Sequence, residues 1–196
     1  MILNDKLKNY NIILASGSPR RQQFFKDLGL DFKIVLKPIK EVYPEELKHF
    51  EISDFLAELK SIPFEETLRS NDILITSDTI VWHNNEALGK PKSLDEAFNM
   101  IKSLSNAKHE VITSVCIKTK TSQKIVHDIT KVTIKPLSDE EIWHYVNNFS
   151  PLDKAGAYGI QEWFGFIAVT KIEGSYFNVM GLPVHLVYQA LEEIVI

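Results

Sequence analysis

The stretch IILASGSPRRQQFF, residues 12–25, decides how the rest of the chain is read. Ile12, Ile13 and Leu14 form a short apolar run, a turn of small residues (Ser16, Gly17, Ser18) follows, and Pro19 comes next. Proline is tolerated at the first helical position because its missing N–H would have no intrahelical partner there. The order therefore reads strand, tight loop, helix, with Ser18 as N-cap. Arg20 and Arg21 fall in the first helical turn, where each cation opposes the helix dipole by about 0.3–1 kcal/mol. An anion at this place removes the conflict. Backbone N–H groups at a helix start, two hydroxyls and two guanidiniums make a cradle for phosphate oxygens; the alternative is a solvated basic turn on an ordinary helix.

Working outward, the helix is expected to run to about Leu28 and stop at Gly29, with a second strand at residues 31–36, which completes a βαβ unit. Residues 37–48, with Pro38 and Pro44, read as loop, and Glu41, Glu45 and Glu46 within them as solvated surface. Residues 49–60 carry Phe50, Ile52, Phe55, Leu56 and Leu59 at helical spacing and close on Lys60, where a cation suits the dipole. In residues 71–91 the run Ile73, Leu74, Ile75 leads straight into Ser77, Asp78 and Thr79 and on to Ile80 and Val81. A carboxylate set between two apolar runs costs several kcal/mol to bury unless a cation or a metal pairs with it, which marks Asp78 as functional. Asn84 and Asn85 signal a hairpin turn. The following Gly89, Lys90, Pro91 is not a phosphate-binding loop of the Walker type, because Asn84 stands where its first glycine belongs; Lys90 is left as a single positioned cation.

Residues 93–103 form an amphipathic helix capped by Ser93, with Leu94, Ala97, Phe98, Ile101 and Leu104 expected inward. Alternation over residues 109–137, around a turn at 121–123, predicts a long hairpin. His109 and His127 have no metal-ligand spacing to each other or to Cys116 and read as surface or core. Ser138 and Glu141 open a helix over residues 138–149 that turns Ile142, Trp143, Tyr145 and Val146 to the core. Within residues 150–169, Asp153 and Lys154 precede Gly156, Gly159 and Gln161. The glycines permit a close approach to a ligand or relieve crowding against a helix, and Gln161 suits a polar ligand or a metal-bound water. Residues 166–173 read as strand, 174–181 as a glycine-bounded loop and 183–195 as a closing helix.

Composition limits the function classes. At 196 residues there is room for one large domain or two small lobes. A hydrophobic content of 44% with 24% charged residues is ordinary for a globular protein, and no stretch is long and apolar enough to span a bilayer. The start MILNDKLKNY is too polar for a secretory signal. A lone cysteine, Cys116, excludes an intramolecular disulfide and suits a reducing compartment, so the cytoplasm is expected. A net charge of −4 argues against binding a nucleic-acid polymer, while a small anion held by local cations remains compatible.

The strings SGSPRR, SDTIV followed by GKP, DKAGAYGIQ and GSYFNVMGLP occur in an order that resembles the Maf proteins, nucleoside triphosphate pyrophosphatases related to the inosine triphosphatase fold. The resemblance covers nearly the whole chain. It implies a mixed α/β fold, an elongated twisted sheet flanked by helices in two lobes around a cleft, inosine triphosphatase-like, with residues 1–196 as a single domain. It implies hydrolysis of a nucleoside triphosphate between the α and β phosphates, with Mg²⁺ or Mn²⁺, and a homodimer is in keeping with it. Position by position, Ser16, Ser18, Arg20 and Arg21 match the phosphate-binding loop, Glu41 an acidic residue in the next loop, and Lys60, Asp78, Lys90 and Gln161 the other polar site residues. This reverses the surface readings of Glu41 and Lys60. KAGAYGIQ and NVMGLP are similar to the branch acting on dTTP and UTP, which makes Thr79 and Gln161 candidates for base selection; another branch takes 7-methyl-GTP. Two departures stand out: Glu162 where the family often has glycine, and Ser61 where alanine commonly follows the lysine. Independently of the name, a triphosphate needs its charge offset, which Arg20, Arg21, Lys60 and Lys90 with a metal could do. Glu41 and Asp78 would hold the metal or orient the water, with Asp78 favoured as general base because its strand fixes it. The reading of another class is a nucleotide-binding regulator of cell division without turnover.

Overall fold

The computed structural model describes residues 2–194. Helix α1 (Leu3–Lys6) and strand β1 (Asn11–Leu14) lead into α2 (Pro19–Asp27), which Leu28 caps before Gly29 turns the chain at φ 68°. Strand β2 (Phe32–Ile34) pairs parallel with β1, so the βαβ reading holds. It is shorter than the expected 31–36, because its partner β1 ends at Leu14, opposite Ile34, where the backbone turns into the loop that leads to α2. After an irregular stretch come α3 (Phe50–Leu59), β3 (Asp72–His83), β4 (Glu86–Leu88) and α4 (Leu94–Leu104). Asn84 and Asn85 both take positive φ, as a tight hairpin between β3 and β4 requires. Strands β5 (Lys108–Lys118) and β6 (Gln123–Ile134) form the expected long pair, and α5 (Asp139–Asn148) opens with a full capping box of Ser138 and Glu141. Helix α6 (Trp163–Ala168), strand β7 (Val169–Glu173), α7 (Tyr176–Val179) and α8 (Val184–Ile194) complete the described chain.

The strands hydrogen-bond in the order β2-β1-β3-β5-β6-β7, with β4 on β3, so the sheet is mixed: β1 is parallel to both β2 and β3, while β3–β4 and β6–β7 are antiparallel. The chain divides into two compact units: residues 1–78, 113–128 and 181–196 form the first, residues 79–112 and 129–180 the second. In the first, Phe64, Leu68 and Leu74 pack with Ile13 and Ala15. Thr76 Oγ1 donates to the carbonyl of Ala57 at 2.6 Å, which ties β3 to α3. In the second, Ile101, Leu104, Val132, Ile142, Tyr145 and Phe164 form a continuous apolar core.

Three expectations are corrected. Residues 166–168, expected to start a strand over 166–173, instead end α6, and Phe166 is 79% exposed while Phe164 and Ala168 are buried. Gly165 makes this turn feasible, since a Cβ there would lie 1.7 Å from the carbonyl oxygen of Ile160. The glycine-bounded stretch 174–181 contains α7, capped by Ser175 Oγ on the Asn178 N–H. Leu94 is 42% exposed, because it sits at the open first turn of α4. Cys116 and His109 are buried, as packing residues. The expected helix end at Val195 lies outside the described residues.

Candidate active site

The loop between β1 and α2 is folded by its own hydroxyls. Ser18 Oγ accepts the Arg21 N–H at 3.5 Å, the N-cap contact, and Ser16 Oγ accepts the Ser18 N–H at 3.3 Å. Gln22 Nε2 donates to the Ser16 carbonyl at 3.2 Å and closes the turn from the helix side. Arg21 reaches further: Nε donates to the Gly181 carbonyl at 2.7 Å and Nη1 to the Ser77 carbonyl at 2.9 Å. Burial lowers its pKa to about 10, opposed by the charge of Asp78, so the guanidinium stays charged at neutral pH. Sequence reasoning gave both arginines to phosphate. The structure gives Arg21 a holding role as well, pinning the loop to the residue before Asp78, while Arg20 is half-buried beside it.

Strand alternation places Thr76 and Asp78 on one face of β3, toward α3. Lys60 caps the C-terminus of that helix, and its Nζ donates to Asp78 Oδ1 at 2.6 Å and pairs with Glu41 Oε2 at 3.2 Å. Asp78 has a side chain only 10% exposed, against 48% for Glu41. The buried carboxylate thus has its cation, and the more accessible one shares it. Ser16, Ser18, Arg20, Arg21, Glu41, Lys60 and Asp78 all belong to the first unit.

Thr79, Lys90 and Gln161 belong to the second unit. Thr79 follows Asp78 on β3 and is half-buried; Lys90 is exposed in the loop after β4. That loop is tied down by the Gly156 N–H, which donates to the Gly89 carbonyl at 3.0 Å. Gly156 has φ 67° and no room for a Cβ, which would meet Val81 Cγ2 at 2.7 Å, so glycine between Ala155 and Ala157 is needed for this close approach. Gln161 is half-buried and donates from Nε2 to Glu162 Oε1 at 3.5 Å. Sequence reasoning missed the carbonyls of Ser77 and Gly181 as anchors, which no side-chain pattern reveals. Lys154, noted in the sequence only for its place before the alanine-glycine run, is a buried ammonium held by Asp153, Glu162 and the Ser150 carbonyl. A pocket of about 300 Å³ lined by Leu94, Val146, Phe149 and Pro151 contains no charged side chain and none of the predicted site residues.

Among the described residues no group of three or more His, Cys, Asp or Glu side chains is placed to hold a metal ion. Glu41 and Asp78 are two hard oxygen donors on one ammonium, too few for a protein cage. They suit a cation such as Mg²⁺ that keeps several waters and is bound by one or two carboxylates together with substrate phosphates.

A family profile described as Maf-like protein matches residues 11–194. A protein of Flavobacterium johnsoniae named dTTP/UTP pyrophosphatase is 66% identical over 194 residues, covering 99% of this chain and 100% of that one. Proteins of the same name from Flavobacterium psychrophilum and Bacteroides fragilis are 58% and 44% identical and cover 95% and 96% of the chain, and 96% and 98% of their own lengths. The Ham1 protein of Staphylococcus aureus superposes with a TM-score of 0.51 at 17% identity over 94% of this chain and 99% of that one, a likeness of fold. A HAM1 protein from Coxiella burnetii does so with 0.50 at 13% over the same shares. The mixed sheet, the serine-arginine loop and the buried aspartate on its lysine therefore stand in a chain that belongs to the Maf-like protein family.

Proposed function

We propose that this chain is a nucleoside triphosphate pyrophosphatase acting on dTTP and UTP, and that residues 1–196 work as one catalytic domain. The observation that carries the reading is Asp78, buried on Lys60 Nζ at 2.6 Å with Glu41 at 3.2 Å on the same ammonium, directly after the residue to which Arg21 is pinned. A regulator that only bound nucleotides would need the serine-arginine loop but not this pair of carboxylates. The choice of dTTP and UTP over 7-methyl-GTP is supported by the names of relatives at 66% and 58% identity.

In the reaction, water attacks the α-phosphorus, the α–β bridging bond breaks, and nucleoside monophosphate, pyrophosphate and a proton result. Asp78 takes the proton from the attacking water, its position set by strand β3 and by the Lys60 ammonium it accepts from. Ser16, Ser18, Arg20 and the first backbone N–H groups of α2 bind phosphate oxygens, and Arg21 holds the loop in place for them. Lys60 and Lys90 offset charge that develops on the leaving pyrophosphate. Thr79 and Gln161 contact the base. A divalent cation, Mg²⁺ or Mn²⁺, would be held by Glu41 and Asp78 with the substrate and would supply charge neutralisation and a more acidic water. We place the activity in the cytoplasm, a reducing compartment that the single Cys116 suits.

Incubation with Mg²⁺ or Mn²⁺ and a panel of nucleoside triphosphates, assayed separately for pyrophosphate and orthophosphate, tests the reading. Pyrophosphate from dTTP and UTP is expected. Orthophosphate would mean cleavage at the γ position, pyrophosphate from 7-methyl-GTP alone would mean the other branch, and no product would mean a regulator.

A further inference from the structure

Glu162 is the hub of a hydrogen-bond network within the second unit. Its Oε2 accepts the Tyr145 hydroxyl at 2.5 Å, and its Oε1 faces Lys154 Nζ at 3.1 Å and the Gln161 side-chain amide at 3.5 Å. Each partner is fixed in turn. The Tyr145 hydroxyl accepts the Gly159 N–H at 2.9 Å, and Tyr145 is wholly buried. Lys154, 5% exposed, donates to the Ser150 carbonyl at 2.5 Å and to Asp153 Oδ1 at 2.7 Å. The Glu162 and Gln161 side chains lie directly over Gly159: a Cβ there would meet Glu162 Cδ at 2.8 Å and Gln161 Nε2 at 3.0 Å. The carboxylate cannot swing aside without giving up the Tyr145 hydroxyl and its ion pair with Lys154, whose ammonium would keep the more exposed Asp153.

This matters because a carboxamide is symmetric in shape and opposite in polarity at its two ends. An unrestrained glutamine pairs with uracil, presenting its oxygen to N3–H and its N–H to O4. Turned over, it pairs equally well with cytosine, whose N3 accepts and whose N4 donates. With one Nε2 hydrogen directed at the Glu162 carboxylate, the turned-over form would set the amide oxygen against a negative oxygen. We propose that Glu162, held by Lys154 and Tyr145, is a positioning residue that locks the Gln161 amide in the orientation suited to uracil and thymine, and so makes the enzyme reject cytosine nucleotides. This rests on the proposed role of Gln161 at the base.

The test is the ratio of kcat/KM for UTP to that for CTP, and for dTTP to dCTP, in the full chain and in Glu162→Ala, Glu162→Gln, Tyr145→Phe and Gln161→Ala. The lock predicts that Glu162→Ala lowers both ratios by about tenfold, in part through a gain on the cytosine nucleotide, the size expected when one buried polar discrimination is lost. Glu162→Gln, which keeps the shape and an acceptor oxygen, and Tyr145→Phe, which frees one side of the carboxylate, should lower the ratios less and in the same direction. A merely structural Glu162 would depress turnover of both nucleotides in parallel and leave the ratios within twofold of the unmodified protein, which overturns the proposal. Should Glu162→Ala not fold, the two milder variants decide by the same ratios. If Gln161→Ala abolishes the preference while every Glu162 and Tyr145 variant keeps it, the lock is wrong and Gln161 still reads the base. If Gln161→Ala also keeps it, the base-contact role itself fails.

Discussion

Lys60→Met removes the ammonium from a carboxylate that is 10% exposed and leaves the methylene stem's packing largely in place. Breaking one partner out of a buried ion pair costs about 3–5 kcal/mol, because the remaining charge is uncompensated. Lys60 itself is 18% exposed, so some solvent reaches the pair and the lower end, about 3 kcal/mol, applies. For a chain of 196 residues, each kcal/mol moves Tm by about 2–4 °C, so a fall of about 6–12 °C is expected. Adding Asp78→Asn to the same chain removes the stranded charge and should restore more than half of that loss. Turnover behaves differently. Lys60→Met, Asp78→Asn and the double variant should each lose about 100-fold or more in kcat, since the proposed general base or its companion charge is gone in every case. Calorimetry and a pyrophosphate assay on the four proteins give both readouts. The reasoning is refuted if Lys60→Met melts where the unmodified protein does, or if the double variant recovers turnover along with stability.

Arg21→Lys cannot donate from one planar fork to the carbonyls of Ser77 and Gly181; a loss of about 1–3 kcal/mol is expected in urea unfolding, with KM rising as the loop loosens. His109 is 2% exposed and its pKa is lowered to about 3, by burial first and by His83 second, so the unfolded chain binds a proton that the folded one refuses. Its stabilising contribution is intact above pH 6.5 and declines by about 1.4 kcal/mol per pH unit as pH falls from 6.5 toward 3. His109→Gln, which can keep a bond to the Tyr158 hydroxyl, should flatten that decline when unfolding free energies are compared at pH 7 and pH 5. Because the described residues form no metal cage, stripping divalent cations with EDTA should stop turnover yet shift Tm by only about 1 °C or less; a large shift would point to a resident structural ion.

What could be read from the sequence depended on whether the cause was local. Ser18 and Pro19 set the start of α2, Ser138 and Glu141 that of α5, and Asn84 and Asn85 the hairpin, each through chemistry within a few residues. Asp78 stood out because a carboxylate in an apolar strand demands a partner. The identity of that partner was not local: Lys60 lies 18 residues away and also satisfies a helix C-cap, and Glu41 is exposed enough to pass for surface, so only the family resemblance singled them out. Residues 166–168 were misread because a short apolar run is equally compatible with strand and helix, and the deciding contact, Gly165 against Ile160, is a matter of tertiary approach. The network around Glu162 joins residues 17 apart and leaves no periodic trace.

The bond from Arg21 to Gly181 spans 160 positions, and the unit that contains both is assembled from residues 1–78, 113–128 and 181–196. During synthesis the serine-arginine loop therefore leaves the ribosome long before its anchor exists. The loop acquires its final shape only when the last segment has emerged. A nascent or prematurely terminated chain ending before Gly181 carries every residue of the proposed phosphate cradle but not the carbonyl that anchors Arg21. A chain truncated before Gly181 is therefore expected to release no pyrophosphate, while the full chain does.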